Sequence, residues 1–201
     1  MDSFKVTYFD IAGSRGEELR LALTIAGVPF EDVRVRRPDY PAQKAQYPFP
    51  SLPVLEINNQ HVIGQTNAAL RYIGLAFDLY PTDRLAAARM DVIMDAVEDL
   101  RHKVSPTLSM RDPVEKSDVR QRIAREYIPH WGKGIEQYFG PGPYLTGDRP
   151  SVADIKLFVI NRWISSGMID DIPATVFDPF SKLKTAAAAI AQLPALKGRY
   201  D

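Results

Sequence analysis

The chain has 201 residues, 45% of them apolar, enough for one large core or two small ones, and its 25 basic residues balance its 25 acidic ones. That balance gives no bulk attraction to nucleic acid or to an anionic membrane, so a small molecule or a second copy of the chain is the expected partner. The absence of cysteine excludes disulfides, thiolate metal sites and a thiol nucleophile of the protein's own, so any sulfur chemistry must enter with a ligand. No window approaches the ~20 apolar residues of a membrane span, and the opening MDSFKVTYFD carries an acid at once, so a cytoplasmic protein is expected.

In chain order, Lys5 to Tyr8 is β-prone, and the Gly-bearing stretch Ile11 to Gly16 reads as a turn. The run Glu17 to Ala26 then gives a largely apolar helix through Leu19, Leu21, Ala22, Leu23 and Ile25, with Gly27 at its C-terminal end. A second strand follows in the alternation of Phe30 to Val35. Past a polar stretch from Arg36 to Tyr47, Pro53 to Ile57 and His61 to Ile63 read as a hairpin around Asn58-Asn59. Thr66 is placed to cap a helix with an apolar stripe through Ala68, Ala69, Leu70, Ile73, Leu75 and Ala76. Residues 78 to 83 (DLYPTD) read as a linker, and everything beyond is helical. One long helix is expected from Arg84 to about Met110, buried along Val92, Ile93, Ala96, Val97, Leu100 and Val104. A second runs from Pro113 to about Phe139, a third from Ser151 to Ser166 and a last from Pro179 to Leu193.

Four features carry chemistry or geometry. Tyr8 ends the first strand directly before a glycine-bearing loop. Pro53 begins an apolar strand in Ser51-Leu52-Pro53-Val54-Leu55-Glu56. A trans bond there would make it only an edge proline, whereas a cis bond turns the Leu52 backbone outward, where an extended peptide can pair with it. Gln65-Thr66 opens a helix whose free N–H groups suit a carboxylate, although Thr66 as a plain cap accounts for the same pattern. Ser151 and Asp154, three apart, form a capping box. The row Asp91, Asp95 and Asp99 shares a helix face, but the three histidines are scattered, and a solvated or interfacial row is expected rather than a metal site. The basic run Arg34, Arg36, Arg37 reads as a solvated strand end rather than a nucleic-acid site.

In this order and spacing the four features resemble the cytosolic glutathione transferases over essentially the whole chain. The likeness is nearest the sigma, prostaglandin D synthase-like class, with mu and alpha next. The resemblance implies an α/β N-terminal thioredoxin-like domain (βαβαββα, residues 1–77) that binds glutathione, and an all-α C-terminal helical domain (residues 84–201). It implies an enzyme that conjugates the glutathione thiolate to hydrophobic electrophiles, with isomerase or peroxidase side activity, and that works as a homodimer. The alternative is a non-catalytic ligand carrier or a crystallin-like structural protein of the same fold. Carried over, Tyr8 donates its hydroxyl to the glutathione sulfur, with Ser14 as the competing donor. Tyr40 stands where the family has a tryptophan, and Lys44 contacts the glycine carboxylate. Leu52, held by Pro53, pairs its backbone with the cysteinyl part, and Gln65 and Thr66 hold the γ-glutamyl carboxylate. Asp99 reaches the γ-glutamyl amine of the other subunit. The electrophile pocket is expected to involve Phe9, Ile11 and Gly13 with Arg101, Lys103, Val104 and Leu108, apolar with a basic rim. Two departures stand out. One extra residue lies between Tyr8 and the first helix, in Gly13-Ser14-Arg15-Gly16, and Pro50-Ser51 replaces a usual Gly-Lys or Gly-Gln.

Overall fold

The structure is a computed structural model in which residues 2–200 are described. The chain divides into two compact units: residues up to Thr82 together with those from Leu193 onward, and Asp83–Gln192.

In the first unit, strands β1 (Phe4–Phe9), β2 (Glu31–Val35), β3 (Val54–Ile57) and β4 (His61–Ile63) form one sheet in the order β2-β1-β3-β4. β1 runs parallel to β2, with Tyr8 opposite Arg34, while β1–β3 and β3–β4 are antiparallel. The parallel pair requires a crossover, which helix α1 (Ser14–Ile25) supplies. Gly27 ends that crossover at φ 69°, with its N–H on Thr24 O and that of Val28 on Leu23 O. Residues 58–60 join β3 to β4, with Asn58 at φ 55° and Asn59 at φ 56°, left-handed backbone that asparagine tolerates, and Gln60 N–H on Ile57 O closing the turn. Helices α2 (Tyr40–Gln43) and α3 (Thr66–Ala76) complete βαβαββα, and the core gathers Val6, Leu19, Leu21, Leu23, Leu55, Leu70 and Ile73.

The second unit is helical: α4 (Arg84–Val104), α5 (Pro113–Arg122), α6 (Ile128–Glu136), α7 (Val152–Ile164) and α8 (Ser181–Ala191). Asp83, expected in the linker, caps α4 by accepting from Ala86 N at 2.9 Å. The core face of α4 runs through Met90, Ile93, Met94, Val97, Leu100, Arg101 and Val104, so Val92, expected inside, lies off that stripe and is 44% exposed. The helix stops at Val104 rather than near Met110 because Pro106 has no N–H to continue the ladder, and a 3₁₀ stretch follows over Ser105–Ser109. The helix expected from Pro113 runs to Glu136 with no non-helical residue, but Pro129, having no N–H, marks a change of geometry within it. The turn before Pro129 widens to π geometry over Ile123–Tyr127, with Ile128 N–H on Ile123 O, joining α5 to α6. α7 begins with the expected capping box: Ser151 Oγ accepts from Asp154 N, and Asp154 accepts in return from Ser151 N at 2.9 Å. Among the described residues no helix is long and apolar enough to cross a membrane.

Candidate active site

Tyr8 lies at the penultimate position of β1, 5% exposed, in a cluster with Val35, Leu52 and Val54. Phe9, Ile11, Tyr40 and Tyr47 pack against this cluster, so five of the sequence-derived candidates (Tyr8, Phe9, Ile11, Tyr40 and Leu52) come together. Their rings form a chain of edge and stacked contacts. Tyr8 meets Phe9 at 5.4 Å, Phe9 meets Tyr40 at 5.0 Å, and Tyr40 lies nearly parallel to Tyr47 at 6.5 Å. Burial raises the Tyr47 phenol above its usual pKa, with Tyr40 adding to the shift. The Leu52-Pro53 bond is cis, and both residues are buried.

The Tyr8 hydroxyl donates to Ser14 Oγ at 3.1 Å. This contact exists because α1 begins at Ser14, three residues earlier than the composition of the loop suggests. Gly13 makes the turn at φ 98° and Ser14 follows at φ 60°. Gly16, expected in a loop, is inside the first helical turn. A Cβ there would overlap the Tyr8 ring, so this glycine is dictated by a close approach rather than by a turn. No side chain caps α1, and an uncapped helix start beside a hydroxyl favours an anion.

Arg20 was missed by sequence reasoning. It is fully buried, bonds Asp32 Oδ1 through Nε at 2.8 Å, and sets its guanidinium carbon 5.9 Å from the Tyr8 ring centroid. Its two terminal nitrogens make no hydrogen bond to another described residue. The available signal was an arginine interrupting the apolar run Leu19 to Leu23.

The remaining candidates in the first unit are Lys44, exposed at the start of a 3₁₀ turn, and the pair at the head of α3. Gln65, not Thr66, holds the N-cap position. It is exposed with φ 64° and makes no side-chain cap, while Thr66 is the first helical residue and 6% exposed. The start of α3 thus lacks the side-chain cap expected of Thr66. In the second unit Asp99 is exposed, and its charge adds to the burial that raises the Tyr127 phenol. Arg101, expected on a basic rim, is 2% exposed and paired at 3.6 Å with Glu98, which also binds Lys156 at 2.7 Å. Val104 is fully buried, whereas Leu108 is 56% exposed.

A glutathione S-transferase N-terminal domain model matches residues 4–74, and a C-terminal domain model of the same family matches residues 98–198. The chain belongs to the glutathione S-transferase family. This glutathione transferase is 37% identical over 162 residues to glutathione S-transferase 1 of Ascaris suum, covering 78% of each chain. It is also similar to S-crystallin 2 of Enteroctopus dofleini, 26% identical over 171 residues and 79% of each chain. Among solved structures, prostaglandin synthase D of Nilaparvata lugens matches with a TM-score of 0.85 at 26% identity, over 97% of this chain and 95% of that one. These likenesses span both halves, and with them the glutathione transferase fold read from the sequence holds: a four-stranded mixed sheet with helices, then an all-helical part.

Proposed function

We propose that the chain conjugates glutathione to hydrophobic electrophiles in the cytoplasm, as a detoxifying homodimer, and that Tyr8 is its catalytic hydroxyl. The first 77 residues form the glutathione-binding domain in this reading, and residues 84–201 form the helical domain. The observation that carries it is a buried phenol at the end of β1, hydrogen-bonded into the uncapped start of α1. A free thiol of pKa near ~8.5 is only a few per cent ionised at neutral pH, and the thiolate is the nucleophile. Lowering that pKa by ~2 units takes roughly 2.7 kcal/mol, which one or two hydroxyl donors at a helix start supply. The thiolate then attacks the electrophilic carbon, and the leaving group departs with its electron pair. Phe9, Ile11 and Tyr40 offer this step an apolar, aromatic flank. Lys44 is the cation for the glycine carboxylate, the Leu52 backbone pairs with the cysteinyl part, and Gln65 with Thr66 at the uncapped head of α3 receives the γ-glutamyl carboxylate. Isomerase or peroxidase chemistry would use the same thiolate.

The test is turnover of a chlorodinitrobenzene-type electrophile with glutathione. Wild type is expected to be active and Tyr8→Phe to lose about 100- to 1000-fold in kcat/KM, in line with removal of one anion-stabilising donor. Wild-type turnover with an unimpaired Tyr8→Phe overturns the assignment of Tyr8. The S-crystallin relative supports a second reading, a carrier or structural protein without turnover, and inactivity of wild type toward every electrophile decides for it. The exposed Asp99 is assigned to the γ-glutamyl amine of the partner subunit's glutathione. Sedimentation at twice the 22.6 kDa chain mass is expected, and a single-chain mass overturns the dimer.

A further inference from the structure

One cavity lies wholly within the second unit and shares no lining residue with the candidate active site. Its volume is about 330 Å³, and it opens between the first two turns of α4 and the stretch 138–146 that follows α6. We propose that it binds a free α-amino acid with an apolar side chain, holding the ammonium on Asp83 and the carboxylate on Arg89. The inference goes beyond the glutathione transferase reading and does not depend on it.

The floor selects an apolar group. Met90, Leu145 and Phe139 form it and are 1%, 4% and 7% exposed, so a side chain that enters leaves water for apolar surface. At ~30 Å³ per water the hollow has room for roughly eleven waters, at the small end of the ~300–1,000 Å³ of ligand sites. Leu85 stands at the mouth 70% exposed, an apolar side chain that a seated ligand covers.

The wall is braced open. Gly140 N–H bonds Leu145 O at 3.1 Å, Tyr144 and Gly147 exchange backbone bonds at 3.0 and 3.2 Å, and Leu145 N–H is tied to Asp154 at 2.8 Å. Gly142 turns there at φ 106°, where a Cβ would stand 2.6 Å from Gly147 O. With the Leu145 backbone committed in this way, polar recognition falls to side chains at the rim.

Two of those side chains carry opposite charges that do not meet. Asp83 and Arg89 are six residues apart along α4, about 9 Å of helix rise, and form no ion pair with each other. Asp83 spends Oδ1 on Ala86 N at 2.9 Å and has its second oxygen to offer. Arg89 sets its guanidinium carbon 5.1 Å from the Tyr138 ring centroid, and among the described residues no carboxylate pairs with it. An apolar anion gains Arg89 but meets the charge of Asp83, and an apolar amine gains Asp83 but meets that of Arg89. A ligand carrying both charges beside an apolar tail is served at both ends.

The experiment titrates the full chain by NMR with three probes of one shape: L-phenylalanine, 3-phenylpropionate and phenethylamine, which are zwitterion, anion and cation at neutral pH. L-Phenylalanine is expected to bind with a dissociation constant of about 1 mM, as a dozen heavy atoms give at ordinary ligand efficiency. The other two are expected to bind about fivefold more weakly, since charges at a wet rim contribute modestly. Asp83→Asn keeps a good N-cap on α4 while removing the charge. It is expected to weaken L-phenylalanine about fivefold and to make 3-phenylpropionate its equal, and Arg89→Gln to do the same in favour of phenethylamine. Ala86→Trp fills the hollow from α4 and is expected to abolish binding of all three at an unchanged melting temperature. Binding that survives Ala86→Trp places the ligand elsewhere and overturns the site. Wild type that takes the anion or the amine as tightly as the zwitterion, or that saturates with none of the three, overturns the ligand class, and so do charge variants that leave the order of preference unchanged.

Discussion

Asp154 shows how one buried carboxylate ties protonation to stability. Its side chain is fully buried and accepts from Leu145 N at 2.8 Å, from Ser151 N at 2.9 Å and from the Ser151 hydroxyl. Burial raises its pKa and the hydrogen bonds lower it. Burial wins, and the group is pushed up to about 6 from 3.8. Between those values the folded protein holds a proton that the unfolded chain has released, so the site's contribution to stability falls as pH rises through that window. The slope is at most ~1.4 kcal/mol per pH unit. Replacing the carboxylate by a neutral amide in Asp154→Asn removes this dependence. Thermal melts of both proteins over the window are expected to show the wild-type advantage shrinking as pH climbs. A difference that stays flat, or widens toward neutral pH, overturns this account.

At the level of elements, what the sequence made legible depended on whether a local rule or a distant contact was in charge. The hairpin around Asn58-Asn59 and the Ser151-Asp154 box were readable because turn and cap chemistry is decided within a few residues. Tyr8 and Leu52-Pro53 were readable for the same reason, as a strand end and a strand-leading proline. The start of α1 was not. Gly16 looked like a turn residue, and only the Tyr8 ring lying against it reveals why a glycine belongs inside the helix. The hydrogen bond between Tyr8 and Ser14 was equally hidden, since it depends on where the helix begins and on a left-handed serine that no propensity suggests. Periodicity placed α4 but misjudged its face by one residue. Helical spacing sets Val92 inside, whereas the true stripe admits Arg101, whose guanidinium is compensated by Glu98. The π turn that joins α5 to α6 has its signal in Pro129, whose missing N–H the surrounding helical pattern outweighs.

On the scale of the whole chain, the first unit is discontinuous, because the stretch from Leu193 returns to it and pairs with α1. Glu17, 5% exposed in the first turn of that helix, accepts from Arg199 Nε at 3.0 Å and Nη2 at 2.9 Å, and from the Tyr200 hydroxyl. Arg20 lies 3.6 Å from the other carboxylate oxygen. Burial raises the Tyr200 phenol well above its usual pKa, and the bond to Glu17 pushes the same way, so it remains a donor throughout the physiological range. A buried carboxylate deprived of its cation costs several kcal/mol, but the Arg199 side chain is 32% exposed and water compensates part of the loss. Arg199→Ala is therefore expected to lower stability by about 1–2 kcal/mol in chemical denaturation, and by clearly less where Glu17→Gln has already removed the buried charge. Because Glu17 directly follows Gly16, against which the Tyr8 ring lies, loosening this clasp also bears on the hydroxyl proposed as catalytic, and kcat/KM is expected to fall together with stability. If Arg199→Ala costs the same with and without the Glu17 charge, the pair is not coupled and the returning chain end is held by the packing of Leu196 alone.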